Sequence, residues 1–313
     1  VIRYLLERLI WSAATVLGMS LAAFFLVALA PGDPITAELR FMGISAKPET
    51  VDALRREYDL DAPIPYRYLR WLGRLARMDL GTSIASGRKV QDELKEALPS
   101  TMTLAGSALT LIVILSWTVG VISARTSSGI TTRLLRFATV LAVSIPSWWL
   151  ALAVLSVVTL AFGWRVLADP DSAANLAFAA SLLAIGPGLS ISRVVKQKIE
   201  DESLEDHVRL AAAIGLSPMR ILITDIGRII APALVTIWAT TFGYLLGGSV
   251  VIERIFDRPG LGNLALQAIG ARDYPVLQGY LLLAGTLFVA CNWLADAVSA
   301  WADPRLRSRG VHR

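Results

Sequence analysis

The side chains that do covalent or metal chemistry are scarce in this sequence, and their spacing excludes most of it. There are 2 histidines and 1 cysteine in 313 residues. His207 and His312 lie far apart and neither has metal-ligand spacing, while Cys291 stands alone in an apolar run, so no disulfide or thiolate site forms within the chain. A phosphate-binding loop needs G-x-x-x-x-G-K-[ST], so that amides cradle phosphate and a lysine reaches it. The nearest approach, Gly81…Gly87-Arg88-Lys89, has the wrong spacing and reads as a polar loop. What remains is the segment Arg193–Arg228, whose residues suit docking and turning rather than bond making. It reads as two short helices around a glycine. Ser203, with Asp206 three residues later, offers an N-terminal cap. Leu204, Val208, Ala211 and Ala212 then recur at helical spacing, and Gly215 ends the helix as a residue tolerant of positive φ. Ser217 caps the next helix with Pro218 in its first turn, and Met219, Leu222, Ile223 and Ile226 form its stripe. Composition alone accounts for this segment as an amphipathic loop on a lipid surface.

The elements that must position it are apolar. Hydrophobic residues make up 55% of the chain, charged residues only 18%, and the mean hydropathy is +0.57. A soluble domain carries about 25% charged residues, so a water-soluble monomer is excluded. About six uncharged stretches of roughly 20 residues can each cross a bilayer core of about 30 Å. They lie at Leu9–Ala30, Thr101–Ala124, Phe137–Gly163, Ala173–Ser192, Ile229–Ile252 and Val276–Ala295. The fold class is therefore all-α: a polytopic membrane protein of six transmembrane helices. The first run ends at Pro31-Gly32-Asp33-Pro34 and is too long, without a small-residue cleavage site, for a removable signal peptide. Val1 stands where Met is usual, which reads as a trimmed chain or a non-AUG start.

Short-loop arginines set the orientation. Arg3 and Arg8 precede the first span, Arg125, Arg133 and Arg136 follow the second, and Arg305, Arg307, Arg309 and Arg313 end the chain. The opposite loop, Trp164–Ser172, has Arg165 against Asp169 and Asp171. Both termini are thus expected in the cytoplasm of an inner-membrane protein, with residues 31–100 outside and 301–313 a cytoplasmic tail. The net charge of +5 and pI near 9.5 fit this orientation better than nucleic acid, because no aromatic-basic stripe suits stacked bases.

None of the spans holds an Asp, Glu, Lys, Arg or His in its central part; Asp296 only borders the last. A self-powered secondary transporter needs such a group or a broken-helix ion site, and a membrane-embedded enzyme needs a catalytic base at that depth. Both alternatives lose ground. Gly186-Pro187-Gly188 interrupts the fourth span, as a tolerated kink or as a moving hinge. Outside, Tyr66, Tyr68, Leu69, Trp71, Leu72, Leu75 and Met78 alternate with Arg67, Arg70, Arg74 and Arg77, the spacing of an interfacial helix. Trp148, Trp149 and Trp238 either line a pore or pack against neighbours.

Ala211-Ala212-Ala213-Ile214-Gly215-Leu216-Ser217, with Pro232 further on, resembles the "EAA…G" cytoplasmic loop of binding-protein-dependent ABC importer permeases. Leu29-Ala30-Pro31-Gly32-Asp33-Pro34, Tyr58-Asp59-Leu60-Asp61-Ala62-Pro63, Asp79-Leu80-Gly81-Thr82-Ser83 and Leu98-Pro99-Ser100-Thr101 resemble, in order, the N-terminal half of the dipeptide/oligopeptide/nickel permease family. Ile252–Gly262 and Arg272-Asp273-Tyr274-Pro275 resemble its outer loop, and Asp303-Pro304-Arg305-Leu306-Arg307 its C-terminal end. The likeness is colinear over nearly the whole chain.

The resemblance implies an outer region inserted after the first helix and a type I importer core over residues 101–300, with a coupling loop at 193–228. It implies a homologous second permease, two cytoplasmic ATPases and an extracytoplasmic solute-binding protein as partners. ATP and magnesium belong to those ATPases; this chain is not an enzyme and binds no cofactor or metal of its own. In the coupling loop the resemblance points to Glu205, Asp206, His207, Arg209, Ala211, Ala212, Ala213, Gly215, Leu216, Ser217 and Pro218. Where the family commonly has a basic residue on either side of the third alanine, this chain has Ala212 and Ile214; a His-Ala-Leu-Arg-Asn run is replaced by Asp225-Ile226-Gly227-Arg228. Glu253, Phe256, Pro259, Gly260 and Gly262 form either a gate or a rigid turn. The cargo is a peptide, nickel, a metal chelate or a related solute, and the stretch from Phe41-Met42-Gly43 to Pro48-Glu49 is faintly similar to nickel-type members.

Overall fold

The computed structural model describes residues 2–29, 61–126, 129–163 and 169–302, together with 35, 36, 51, 52 and 55. The Pro31–Pro34 breaker, the first half of the Tyr58–Pro63 motif, the 41–49 stretch and the C-terminal Asp303–Arg307 motif with its arginines lie outside the described residues. Apart from one isolated bridge between Thr82 and Lys89, the described residues carry helices and turns only.

Among the described residues five helices are long and apolar enough to cross a bilayer, and counting a bent pair as one span brings the number to six. Helix α1 is Ile2–Ala28, and α2, Ile64–Leu75, lies against it. The second span is the 36-residue α3, Val90–Arg125, which begins well before Thr101 and carries Pro99 inside it. Asp92 and Glu93 sit in its first turn, where negative charge suits the helix dipole.

The third span departs from the sequence expectation. Instead of one helix over Phe137–Gly163, α4 (Ile130–Ser144) and α5 (Ser147–Phe162) meet at 101°. Pro146 is the cause: the residue before a proline is pushed out of the helical region, and Ile145 has φ −92° and ψ 123°. By contrast α6, Ala173–Ser203, runs unbroken through Gly186-Pro187-Gly188. Ser172 caps it, its Oγ accepting from Asn175 N at 3.2 Å.

After α6 come α7 (Asp206–Ala213), the single turn α8 (Pro218–Arg220) and a π-helical segment, Ile221–Ile226, which leads into α9 (Gly227–Gly248). Two short helices, α10 (Val250–Ile255) and α11 (Leu261–Ala271), precede the last span, α12 (Tyr274–Ala302).

The core is built by close approach of backbones. Between α3 and α6, a Cβ on Gly120 would stand 2.6 Å from Val195, and one on Gly188 would stand 2.8 Å from Leu115. Ala105, Ala108, Ala179, Ala180 and Ala184 are buried in the same core, the small-residue packing that substitutes for a hydrophobic drive inside lipid. Helix α1 seats against α12 with Met19 Sδ 2.7 Å from where a Gly285 Cβ would be. Arg8 and Asp296 pair at 3.2 Å, which ties the bordering carboxylate to α1.

The segment read from the sequence as an interfacial helix is helical, as α2, with one correction. Trp71 is buried beside Phe24, and the Tyr68 hydroxyl lies 3.0 Å from Ser20 Oγ, so its aromatic face packs on α1. Met78 lies beyond the end of the helix, in a turn with φ +60°.

Candidate functional site

Two constructions at opposite ends of the helices gather the candidate residues. The first is the corner between α7 and α8. Ser203 does not cap α7: it is the last residue of α6, its hydroxyl donating to Ile199 O at 2.5 Å, and Glu205 holds the N-cap position without a side-chain bond. The reason is local, since an i−4 carbonyl within the preceding helix is a competing acceptor for serine. Glu202 reaches His207 instead, at 3.4 Å, and Asp206 approaches Arg209 at 3.8 Å.

The turn itself follows the sequence. Gly215 has φ +86°. Its N–H donates to Ala212 O at 3.1 Å and Leu216 N–H donates to Ala211 O at 3.2 Å. This paired bonding satisfies the last carbonyls of α7 and requires a left-handed residue at its centre. Ser217 then caps α8, its Oγ accepting from Arg220 N at 3.4 Å, with Pro218 at the first position.

Burial sorts the two stripes differently from their spacing. Val208 and Ala211 turn inward while Leu204 and Ala212 are exposed. Beyond α8 the register changes because the chain is π-helical: Ile221, Leu222 and Ile226 are buried, whereas Met219 and Ile223 face out. The wider turn brings Gly227 so near the Leu222 carbonyl that a Cβ would be 2.9 Å from its oxygen. Asp225 Oδ2, in this segment, is enclosed with no hydrogen-bond partner.

The result is an apolar outward face. Leu210, Ile214 and Met219 are 63%, 69% and 53% exposed at the corner, beside Glu205, Asp206 and Arg209. Ala213 is exposed as well. The Arg125 guanidinium, at the end of α3, stands 3.5 Å from both Pro218 O and Met219 Sδ. The corner therefore touches a long core helix directly.

The second construction is a polar knot at the opposite end of the helices. Glu253, in α10, has no solvent exposure. One carboxylate oxygen accepts from Thr101 Oγ1 at 2.8 Å and Ser249 Oγ at 2.9 Å. The other accepts from the backbone N–H of Gly262 at 2.8 Å and of Asn263 at 3.2 Å. The carboxylate thus sits on the N-terminus of α11, where the unpaired amides and the helix dipole favour a negative charge. Gly260 and Gly262 are needed for the approach: a Cβ would meet Glu253 Oε2 at 2.2 Å and Val250 Cα at 2.4 Å, respectively.

Around it, Arg258 Nη1 donates to Pro170 O at 2.7 Å and Asn175 Oδ1 at 3.1 Å. Asn175 Nδ2 donates to the carbonyl of buried Phe256 at 3.0 Å. Burial lowers the Arg258 pKa, and the charges of Asp171 and Glu253 oppose that shift. Pro259 remains exposed.

Sequence reasoning missed Thr101, Ser249, Asn175, Arg258 and Asn263 as members of this knot. A second tie explains two more of the quoted motifs. Ser83 Oγ donates to Asp273 Oδ2 at 2.5 Å, and Ala85 N–H reaches the same oxygen at 3.2 Å. The usable signal was a set of polar residues at the ends of apolar runs, but their pairing across the chain was not readable. Of the tryptophans, Trp238 packs between spans, its Nε1 donating to Ser116 Oγ at 3.2 Å, while Trp148 and Trp149 are half exposed.

The family described as binding-protein-dependent transport system inner membrane component matches residues 116–308, and its N-terminal companion matches residues 1–105. The chain belongs to this family of ABC importer permeases. A putative peptide transport system permease protein of Brucella abortus (strain 2308) is 35% identical over 312 residues, covering 97% of this chain and 98% of the relative. A glutathione transport system permease protein of Pectobacterium atrosepticum is 28% identical over 306 residues, covering 98% of this chain and 99% of that one. Among solved structures, a chain of the inward-facing MetNI methionine ABC transporter matches with a TM-score of 0.55 at 19% identity. That match covers 67% of this chain and 96% of the other. The permease therefore has the type I importer fold and is a multi-pass protein of the inner membrane.

Proposed function

We propose that this permease forms one half of the transmembrane channel of an ATP-driven importer for peptides, beside a homologous second permease. Two ATPase subunits, which carry the ATP and magnesium chemistry, dock on the α7–α8 corner. That end and both termini face the cytoplasm. The outer region up to residue 100 and the Glu253 knot face the other way, towards a solute-binding protein that delivers the cargo. Closure of the ATPases pushes the corner, and Arg125 passes the displacement to α3. The knot reads as a fixed brace that keeps α3, α10 and α11 moving together.

The observation that carries this reading is the exposed Leu210, Ile214 and Met219 face beside Glu205, Asp206 and Arg209. Large apolar side chains grouped with a polar surround mark a protein interface. Peptides are read as the cargo because relatives aligned over nearly the whole chain are named for peptide transport. The nickel-type likeness rests on residues 41–49, outside the described part of the chain.

The test is the double variant Leu210→Glu with Ile214→Glu, expressed with the partner subunits. Its spans should insert as before, and the ATPase subunits should be lost from the purified complex. Full retention of the ATPases with unchanged uptake of a labelled peptide would refute the docking assignment.

A further inference from the structure

The corner is not the only feature at that end of the helices. Between α3, α4 and α6 lies a cavity of about 380 Å³ lined by Arg136, Arg193 and Lys196 together with Ser123, Thr139 and Ser192. No carboxylate lines it. Glu200 stands beside it, 3.5 Å from Lys196 one helical turn on, and is itself half exposed. Among the described residues neither Arg136 nor Arg193 forms an ion pair. Three cations against one neighbouring acid leave a positive cavity.

Its depth is set by the sequence. Arg193 follows directly on the apolar run Ala173–Ser192, and Ser123 lies two residues before Arg125, which ends α3. The cavity therefore sits where the hydrocarbon gives way to water. The α4 wall adds the second half of the argument. Leu135 and Val140 line the cavity with Arg136, and Val140 and Val143, one turn apart on that face of α4, are 51% and 54% exposed. Cations and hydroxyls in a recess, with a stripe of exposed apolar side chains leading from it along α4, match a headgroup phosphate and its acyl chain.

We infer that this cavity binds the phosphodiester headgroup of an anionic phospholipid in the leaflet at the corner end, with an acyl chain laid along Val140 and Val143. Basic recesses between transmembrane helices are suited to such headgroups, and guanidinium groups supply two parallel donors to phosphate oxygens. A lipid is favoured over free phosphate because the apolar stripe has no role in holding an inorganic ion. The inference needs only the bilayer; it depends neither on the proposed cargo nor on the ATPase docking.

The test uses the full-length chain, purified in a neutral detergent with the subunits that copurify with it. It is titrated with dioctanoyl phosphatidylglycerol, dioctanoyl phosphatidylcholine or inorganic phosphate, and adducts are read by native mass spectrometry. Phosphatidylglycerol should be retained at least about tenfold better than phosphatidylcholine, since each nearby Lys or Arg contributes about 1 kcal/mol towards an anionic surface. The set Arg136→Gln, Arg193→Gln, Lys196→Gln should abolish that preference. The set Arg136→Lys, Arg193→Lys, Lys196→Arg should keep it, which leaves the test decisive if the neutral set fails to assemble. Equal retention of both lipids, or an unchanged preference in the neutral set, would overturn the assignment. So would displacement of phosphatidylglycerol by millimolar phosphate, the behaviour of a free-anion site. Adducts absent from the assembled complex would overturn it too, because a partner subunit would then cover the cavity.

Discussion

A carboxylate without solvent contact is destabilising unless its lone pairs are used, and Glu253 has four donors directed at it. Glu253→Gln keeps the size but turns one acceptor oxygen into a donor. If that NH₂ faces the α11 amides, Gly262 and Asn263 both lose their acceptor; if it faces the hydroxyls, the amides share a weaker, uncharged one. Each buried donor left unpaired costs about 1–3 kcal/mol. The expected outcome is a clearly lower thermal midpoint for the purified chain, with Gly260→Ala shifting it in the same direction by forcing a methyl into the carboxylate. An unchanged midpoint in both would mean that the knot is loose. The sequence marked Glu253, Gly260 and Gly262 but left gate and turn undecided. One partner of Glu253, Thr101, is 152 residues away, and no local pattern reports a contact of that range.

Helices were legible wherever the apolar run was long, as in α1, α6, α9 and α12. What the sequence did not reveal depended on neighbours or on a single backbone angle. Pro146 lies inside the Phe137–Gly163 run as Pro187 lies inside the Ala173–Ser192 run, yet at the first the chain bends by 101° and through the second the helix continues. Pro187 lies in a helix packed along its length against α3, which holds it straight. Pro146 follows an extended Ile145 and starts a new helix. The π-helical segment was equally hidden, because its residues fit an α stripe by spacing alone. At this scale the packing of α3 on α6 gives a graded prediction. Gly120→Val forces side-chain atoms into Val195 and should destabilise by about 1–3 kcal/mol, the usual effect of overpacking. Gly186→Ala meets only Ala142 O, at 3.6 Å, and should be neutral or slightly stabilising, since alanine is up to about 1 kcal/mol better than glycine within a helix. Denaturation of the two variants in the same detergent separates them. Equal effects would place the close approach elsewhere.

For the molecule as a whole, the spans form a packed body with a covalently continuous corner at one end and a buried brace at the other. The two candidate constructions differ in how they were found. The corner was readable because glycine, serine and proline signal turn geometry locally, whereas its apolar outward face became visible only once burial sorted the stripes. If the corner transmits ATPase closure to the spans, its shape must be held by Gly215 at φ +86°, a conformation that strongly disfavours a β-branched residue. Gly215→Val should strain the turn by about 1–3 kcal/mol and misplace α7 against its partner, while no span residue changes. The most direct measurement is ATP hydrolysis by the reconstituted importer with and without loaded solute-binding protein, comparing Gly215→Val with the unmodified chain. The account predicts that stimulation by the loaded binding protein is lost in the variant although the permease still inserts and the binding protein still holds its ligand. Full stimulation with unchanged uptake would contradict it, and would make the corner a passive connector between two spans.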